Sequence, residues 1–442
     1  MLLVGNGKVI TRNSQQPYLT DGCVAIEDNL ILSVGSTKAL RKQYSDGKFL
    51  DAKERIIMPG LINTHMHLYS TFARGMASKE APPQNFSQIL QRLWWKLDKV
   101  LTLEDIYYSA MVPLIDCIKC GTTTIFDHHA SPGAVRESLF TIAKAAKTAG
   151  VRGSLCYEVS DRDGNNVMKQ GIEENMEFIQ YANKMPDNML RGMFGLHASL
   201  TLSDKTLEEC CTANAGTEAG FHIHVAEGTA DLEDALAKSG NRVVERLDSF
   251  SILGPKSIAV HCVHVNDQEI DILKRINANV VHNPESNMGN AVGCAPILNM
   301  MEKGVTVGLG TDGYTSDMFE SLKVANILHK HDQGNPSIAW VEAPAMLFKH
   351  NLDISKTSFS QPLGQLAPGC LADIIIVDYD PPTPLHEGNI DGHIVFGISG
   401  RSVVTTIING RIIMEERRLT NIDEEEINAK SRELSAKLWK RI

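Results

Sequence analysis

PGLINTHMH, residues 59–67, is a short apolar run that ends in two histidines two places apart. Successive side chains of a strand point to opposite faces, so His65 and His67 project the same way. Seven runs of similar texture follow: TTTIFDHH (122–129), RGSLCYEV (152–159), GMFGLHA (192–198), AGFHIHVAE (219–227), SIAVHCVHV (257–265), ANVVHNPES (278–286) and VTVGLGTDG (305–313). Helix-length spacers separate them. Eight such runs are what a parallel (β/α)8 barrel requires.

Outside this stretch the texture changes. KVITR, CVAIED, LILSVG and RIIM near the start are short β-branched pieces divided by Gly, Asn and Asp, and the pattern returns in ADIIIVDYD and VVTTIINGRIIMEE. Asn409-Gly410 is a hairpin signal. The expected architecture is therefore α/β: a TIM-like barrel over residues 58–360, inserted into a small β-sandwich made by residues 1–57 and 361–422. Residues 423–442 read as an exposed helix, acidic first and basic last, as the helix dipole favours.

The length of 442 residues suits a barrel of about 250 or more with a smaller domain beside it. Hydrophobic residues make up 43 %, enough for a large core. A net charge of −10 excludes a polyanion-binding surface, so no nucleic acid is expected, and a small neutral or cationic substrate is compatible. The opening MLLVGNGKVITRN has an apolar run of only a few residues and no basic lead, which fits neither a signal peptide nor a membrane span. The nine cysteines are scattered; the lone CxxC, Cys117 and Cys120, reads as reduced core thiols. A cytoplasmic protein is expected, and by base rate a homodimer.

The placement of the 15 histidines carries most of the information. His65, His67, His128, His129, His197, His222, His224, His261 and His282 all fall late in candidate strands, where a barrel builds its site. One buried imidazole is ordinary; several on successive strand ends are hard to explain as packing, because each needs a partner. The HxH spacing alone is a weak signal. His329 and His331 repeat it in a helical stretch, where such residues diverge, and read as solvated or capping side chains. Glu227, three residues after His224, is placed either to shuttle protons or to open the next helix. Asp312, between Gly310 and Gly313, is either a catalytic acid or a loop cap.

Five ordered motifs, PGLINTHMH, HVAE, AVHCVH, HNPESN and GLGTDG, resemble the amidohydrolase superfamily. The likeness is to its mononuclear branch of deaminases and chlorohydrolases, nearest the SsnA-type aminohydrolases, and it spans essentially the whole chain. The resemblance implies His65, His67, His224 and Asp312 as ligands of one divalent metal, zinc first and Fe(II) or Mn(II) next. It implies Glu227 as proton shuttle, His261 as the group that polarises substrate, and His197, His282 and Asn283 as substrate contacts. The binuclear branch carries a carbamylated lysine where this chain has His197, hence the expectation of one metal.

Departures from the pattern, His128-His129 and the run Tyr157–Arg162, fall where substrate would bind. Arg162, His129 and Arg74 are therefore further candidate contacts, while Trp94-Trp95 reads better as helical core. The function implied is hydrolysis of a C–N bond in a purine- or pyrimidine-like ring, foremost deamination. The alternatives are ring opening of a cyclic amide, as in imidazolonepropionase, and triazine dechlorination. A metal-free scaffold is the reading from another class, and the complete ligand set argues against it.

Overall fold

A computed structural model describes residues 1–77 and 80–442. Five strands open the chain: β1 (Leu2–Ile10), β2 (Tyr18–Glu27), β3 (Leu30–Ser36), β4 (Lys48–Asp51) and β5 (Ile56–Pro59). The eight expected runs then appear as β6 (Leu61–Met66), β7 (Thr122–His129), β8 (Arg152–Tyr157), β10 (Phe194–Ala198), β11 (Phe221–Val225), β12 (Ile258–His261), β13 (Asn279–His282) and β14 (Thr306–Leu309). A short extra strand, β9 (Leu190–Gly192), flanks β8. Helices connect each strand to the next, and all pairings among β6 to β14 are parallel. Nearly every residue in these strands is buried, which follows from covering both faces. In β11, Phe221, Ile223 and Val225 join the main apolar core, while His222 and His224 take the opposite face.

The parallel strands fall into two sheets, β6-β7-β8-β9 and β10-β11-β12-β13-β14. Both seams between them are bridged by backbone contacts, Met66 with Asp312 and Val159 with Leu196. A buried asparagine amide reinforces each seam. Asn351 Nδ2 donates to Ile62 O (2.7 Å) and Leu309 O (2.8 Å), and its Oδ1 accepts from Leu309 N–H (2.7 Å). Asn175 does the same across the other seam: its Oδ1 accepts from Tyr157 N–H (2.8 Å) and Gly195 N–H (3.3 Å), and its Nδ2 donates to Tyr157 O (2.9 Å) and Gly195 O (3.3 Å). Each amide satisfies strand-edge groups that would otherwise be buried without partners.

The two ends of the chain meet in a further sheet. Strands β15 (Ile374–Val377), β16 (Val403–Ile408), β17 (Arg411–Glu415) and β18 (Arg418–Leu419) come from the C-terminal part. Antiparallel pairing of β5 with β15 splices them to β1–β4, so nine strands hydrogen-bond as one sheet where the pattern suggested a two-sheet sandwich. Strand β5 runs to Pro59, two residues past the expected boundary. A buried pair of Arg152 with Asp373, Nη2 to Oδ1 3.2 Å, ties this sheet to the start of β8.

The C-terminal helix, Glu424–Leu438, starts at its Asp423 cap as expected but is not simply exposed. Leu434 and Leu438 are buried and the helix packs on the long helix Leu103–Cys120, because Ile427, Leu434 and Leu438 form an apolar stripe at helical spacing. Trp439 Nε1–H then donates to Phe72 O at 2.7 Å. No helix among the described residues is long and apolar enough to cross a membrane.

Removing an amide from either seam orphans buried backbone groups. Asn351→Leu and Asn175→Leu, close in volume to the native residue, should each destabilise the protein by about 1–3 kcal/mol in urea unfolding. Unchanged midpoints would show that the seams do not depend on these side chains.

Candidate metal centre and cavity

Seven imidazoles converge at the C-terminal ends of the parallel strands, and their hydrogen bonds fix which nitrogen of each faces inward. His67 Nδ1 bonds His128 O, and His224 Nδ1 bonds His197 O at 2.9 Å. A carbonyl only accepts, so both Nδ1 atoms carry a proton and both Nε2 atoms face inward; burial opposes a charge on His67, but Asp312 and Glu158 raise it to about 9. Those two Nε2 atoms face each other at 3.3 Å. His65 Nδ1 pairs with His222 Nε2 at 2.9 Å, leaving His65 Nε2 without a partner and 3.9 Å from Asp312 Oδ1. His261 Nδ1 is taken by Asn287 Oδ1 at 2.8 Å, and its Nε2 likewise has no partner.

The carboxyls complete the cradle. Asp312 Oδ1 lies 3.2 Å from His67 Nε2, and Ser286 Oγ and Gly313 N–H donate to its two oxygens at 2.5 and 2.7 Å. Glu227 Oε2 lies 3.5 Å from His261 Nε2, with Asn290 Nδ2 donating to Oε1 at 3.4 Å. Among the described residues, ligand atoms lie within 4.8 Å of one another in four sets: His65, His67 and Asp312; His65, His224 and His261; Glu227, His261 and Asp312; and His67, His128, Glu158 and His224. Orphaned nitrogens, fixed tautomers and a carboxylate form the donor set a divalent cation requires, so the residues present fit one.

The backbone is strained where it delivers these groups. Ala226, His261, Cys262 and Asp312 are non-glycine residues with φ of 48°, 70°, 50° and 53°. Such conformations cost on the order of 1 kcal/mol or more each and persist where surroundings hold them. Here Cys262 N–H donates to Val225 O (2.9 Å), and Asp312 N–H to His65 O (3.0 Å).

The two carboxyls that sequence reasoning singled out are driven apart. Burial pushes the Glu227 acid well above its usual range, and the Asp312 charge pushes it further. Burial also opposes ionisation of Asp312, but its hydrogen bond to His67, the neighbouring imidazoles and Ser286 hold it well below the usual carboxylate range. Their environments thus hold the two side chains on opposite sides of the usual carboxylate range.

A cavity opens over this cluster. His67, His197, His224, Glu227 and Asp312 line its floor, with Glu158. Its wall is aromatic and apolar: Tyr69, Phe86, Leu90, Trp94 and Trp95 from the segment after β6, and Tyr314 after β14. Both tryptophans face the cavity, contrary to the core role expected, because residues 86–100 break into short α, π and 3₁₀ turns that lay across the mouth. Asp98 lines the cavity too; its Oδ1 is buried without a partner.

Other expected contacts lie elsewhere. Arg162 does not line the cavity; it is paired to Asp98 and Asp163 beneath the Trp95 ring. His129 turns away from the cavity to Ser131 Oγ at 2.9 Å. Arg74 is largely exposed and reaches Asp116 at 3.6 Å. His282 and Asn283 are fully buried behind the floor. His329, expected to be solvated, is buried with its ring 5.0 Å from His282, whereas His331 is exposed as expected. Cys117 and Cys120 are free, as are the other seven cysteines. Asp98, Ser286, Asn290 and Glu158 carry no sequence signal: they stand in short helical turns or just past a strand end, too short for a period to mark their facing.

A model of the amidohydrolase family matches residues 56–413. This chain belongs to the amidohydrolase family. Over its full length this amidohydrolase is 32 % identical to the 5'-deoxyadenosine deaminase of Methanosarcina mazei, covering 99 % of that protein. It is 32 % identical to the 5-methylthioadenosine/S-adenosylhomocysteine deaminase of Pelotomaculum thermopropionicum, again covering 100 % of this chain and 99 % of that one. Among solved structures its fold matches a zinc-bound adenosine deaminase from Xanthomonas campestris with a TM-score of 0.86 at 22 % identity, over 99 % and 98 % of the two chains. Atrazine chlorohydrolase TrzN from Arthrobacter aurescens, complexed with zinc, matches at 0.83 and 22 %, over 98 % and 100 %. The amidohydrolase is thus a metal-dependent hydrolase of carbon–nitrogen bonds, as its motifs implied.

Burial, then neighbouring charge, lowers His129, His197 and His222 to about 3. The unfolded chain, with histidines near 6.5, binds protons that the folded chain refuses. Stability of the metal-stripped amidohydrolase should therefore be complete above about pH 6.5 and fall as pH drops toward 3, with a limiting slope of about 1.4 kcal/mol per pH unit for each histidine. Urea midpoints at pH 7.5 and 5.5 measure it; equal midpoints would contradict neutral, buried imidazoles.

Proposed function

We propose that this amidohydrolase is a zinc-dependent deaminase that exchanges the exocyclic amine of an adenine-type nucleoside for oxygen. The observation that carries this reading is the pair of carboxyls Glu227 and Asp312, both on the cavity floor and flanking His261 Nε2 at 3.5 and 3.7 Å, the first held above its usual range and the second below it. Loss of ammonia needs both: a base for the water proton and an acid for the departing nitrogen. The full-length relatives named as adenosine-type deaminases support the same reading.

Zinc would be held by His65, His67, His224 and Asp312, a donor set that Fe(II) and Mn(II) also accept. When bound, it supplies Lewis acidity that makes water acidic near neutral pH. The protein's own groups do the rest. Asp312 accepts a proton from the attacking water, and Glu227 gives one to the leaving nitrogen. His261 Nε2, 3.5 Å from Glu227 Oε2 and 3.7 Å from Asp312 Oδ2, stands where it can pass a proton between them. His197 contacts the ring from the floor. Phe86, Trp94, Trp95 and Tyr314 offer faces for a heterocycle. The free Oδ1 of Asp98 accepts a sugar hydroxyl.

In this reading the two parallel sheets act as one closed (β/α)8 barrel over residues 58–360, with the terminal sheet of 1–57 and 361–422 beside it. Nine unpaired cysteines support a reducing, cytoplasmic setting.

Incubating zinc-loaded protein with 5'-deoxyadenosine, adenosine and adenine should release ammonia and raise product mass by about one dalton. A gain of one water without ammonia would mean ring opening, and would overturn deamination. Glu227→Gln should cost about 10²–10⁴ in kcat, because the amide cannot deliver the proton. Asp98→Asn should raise KM for the nucleosides and leave the free base little changed; equal effects on both would remove Asp98 from sugar recognition.

A further inference from the structure

Asp231, in the first turn of the helix Thr229–Ser239, is buried and lines the cavity. Its two carboxylate oxygens accept backbone N–H groups from two different strand ends. Oδ2 accepts from Ala226 N–H at 2.9 Å, just past β11, and Oδ1 from Leu200 N–H at 2.8 Å, just past β10. Ala226 is held from its other side as well, because its carbonyl accepts His264 N–H at 2.9 Å. Gripped at both its N–H and its carbonyl, this alanine keeps a left-handed φ of 48° at the position before Glu227. Glu227 thus enters the cavity from pinned backbone, with Oε2 3.5 Å from His261 Nε2.

The other oxygen serves the histidine side. Leu200 is the middle of the short 3₁₀ turn Ser199–Thr201, and Thr201 Oγ1 pairs with His197 Nδ1 at 2.7 Å. Lys238 Nζ, on the same helix as Asp231, donates to Leu200 O at 3.0 Å. Arg246, fully buried, donates to Ser199 O at 3.0 Å and Leu202 O at 2.9 Å and steadies the turn as a whole. A single carboxylate therefore ties the backbone that carries Glu227 to the backbone that orients His197.

We propose that Asp231 is a positioning residue, whose carboxylate sets Glu227 and His197 at a fixed spacing in the cavity so that Glu227 reaches the leaving nitrogen. The proposal rests on the reading of Glu227 as the acid for that nitrogen. A catalytic group displaced by about 1 Å can cost about 10²-fold in rate, so a residue that touches no reacting atom can govern the step.

The test compares 5'-deoxyadenosine with its 6-chloro counterpart, whose chloride leaves without a proton and so makes no call on Glu227. Asp231→Asn, whose NH2 opposes one of the two N–H donors, should lower kcat for the amine by about 10²-fold and for the chloro compound far less. Joined to Glu227→Gln it should add little further loss, because both act through one proton transfer. Amide exchange should quicken in segments 198–202 and 225–228, with zinc content and circular dichroism as in the native protein. If Asp231→Asn does not fold, Asp231→Glu, which keeps the charge and moves it by one methylene, takes its place in each comparison. If the native protein turns over the amine alone, the double variant decides. Equal losses on the two substrates, or losses that multiply in the double variant, make Asp231 a purely structural acid and overturn the proposal while Glu227 keeps its role. Native rates with native exchange in the variant overturn it as well. Equal losses on both substrates in Glu227→Gln remove the shuttle reading and the proposal with it, and a native protein inactive on both removes the deaminase reading too.

Discussion

The structure depends on a constraint at the strand ends: backbone carbonyls at the end of one strand hold the outer nitrogens of imidazoles carried by another. His128 O holds His67, His197 O holds His224, and His222 O holds His128. Each bond holds one ring nitrogen and turns the other inward. Neutral imidazoles packed this tightly are stable only if their free nitrogens meet a cation or proton. The strand register therefore sets the chemistry, because a shift of one residue would turn every ring to the helix side.

That register is held from outside the site. Asn175 and Asn351 lock the two seams between the parallel sheets, and Arg152 with Asp373 fastens the terminal sheet to the start of β8. With the seams fixed, the chain can sustain left-handed backbone at His261, Cys262 and Asp312. Energy stored there positions an acid and a base that would not otherwise share so small a volume.

The electrostatics follow from this crowding. Glu227 and Asp312 lie near His261 on either side, and their environments separate them: one is desolvated beside a charge, the other is surrounded by donors. The aromatic segment after β6 excludes water from above, which strengthens each of these interactions. Five carboxyls and no lysine or arginine are among the described lining residues, so the site favours neutral or cationic ligands and bound metal alike.

Much of this was legible in the sequence. Eight apolar runs with helix-length spacers specify parallel strands, because period and spacing are local properties. The HxH pairs, HVAE and GLGTDG sit on those strand ends, so His65, His67, His224, His261, Glu227 and Asp312 could be placed together before any coordinates. The amidohydrolase family followed from the same motifs. Tertiary structure decided what depends on partners distant in the chain. Asn175 and Asn351 look like ordinary helical polar residues until the seams they close are seen. Arg162 and His129 looked like substrate contacts, but Asp98 and Ser131 claim them. Trp94 and Trp95 looked like core and instead wall the cavity, because short irregular turns carry no period from which a facing could be read. Strand periodicity fixes which way a side chain points; only the packed chain decides what it meets there, since hydrogen-bond partners are chosen by proximity in space and not in sequence.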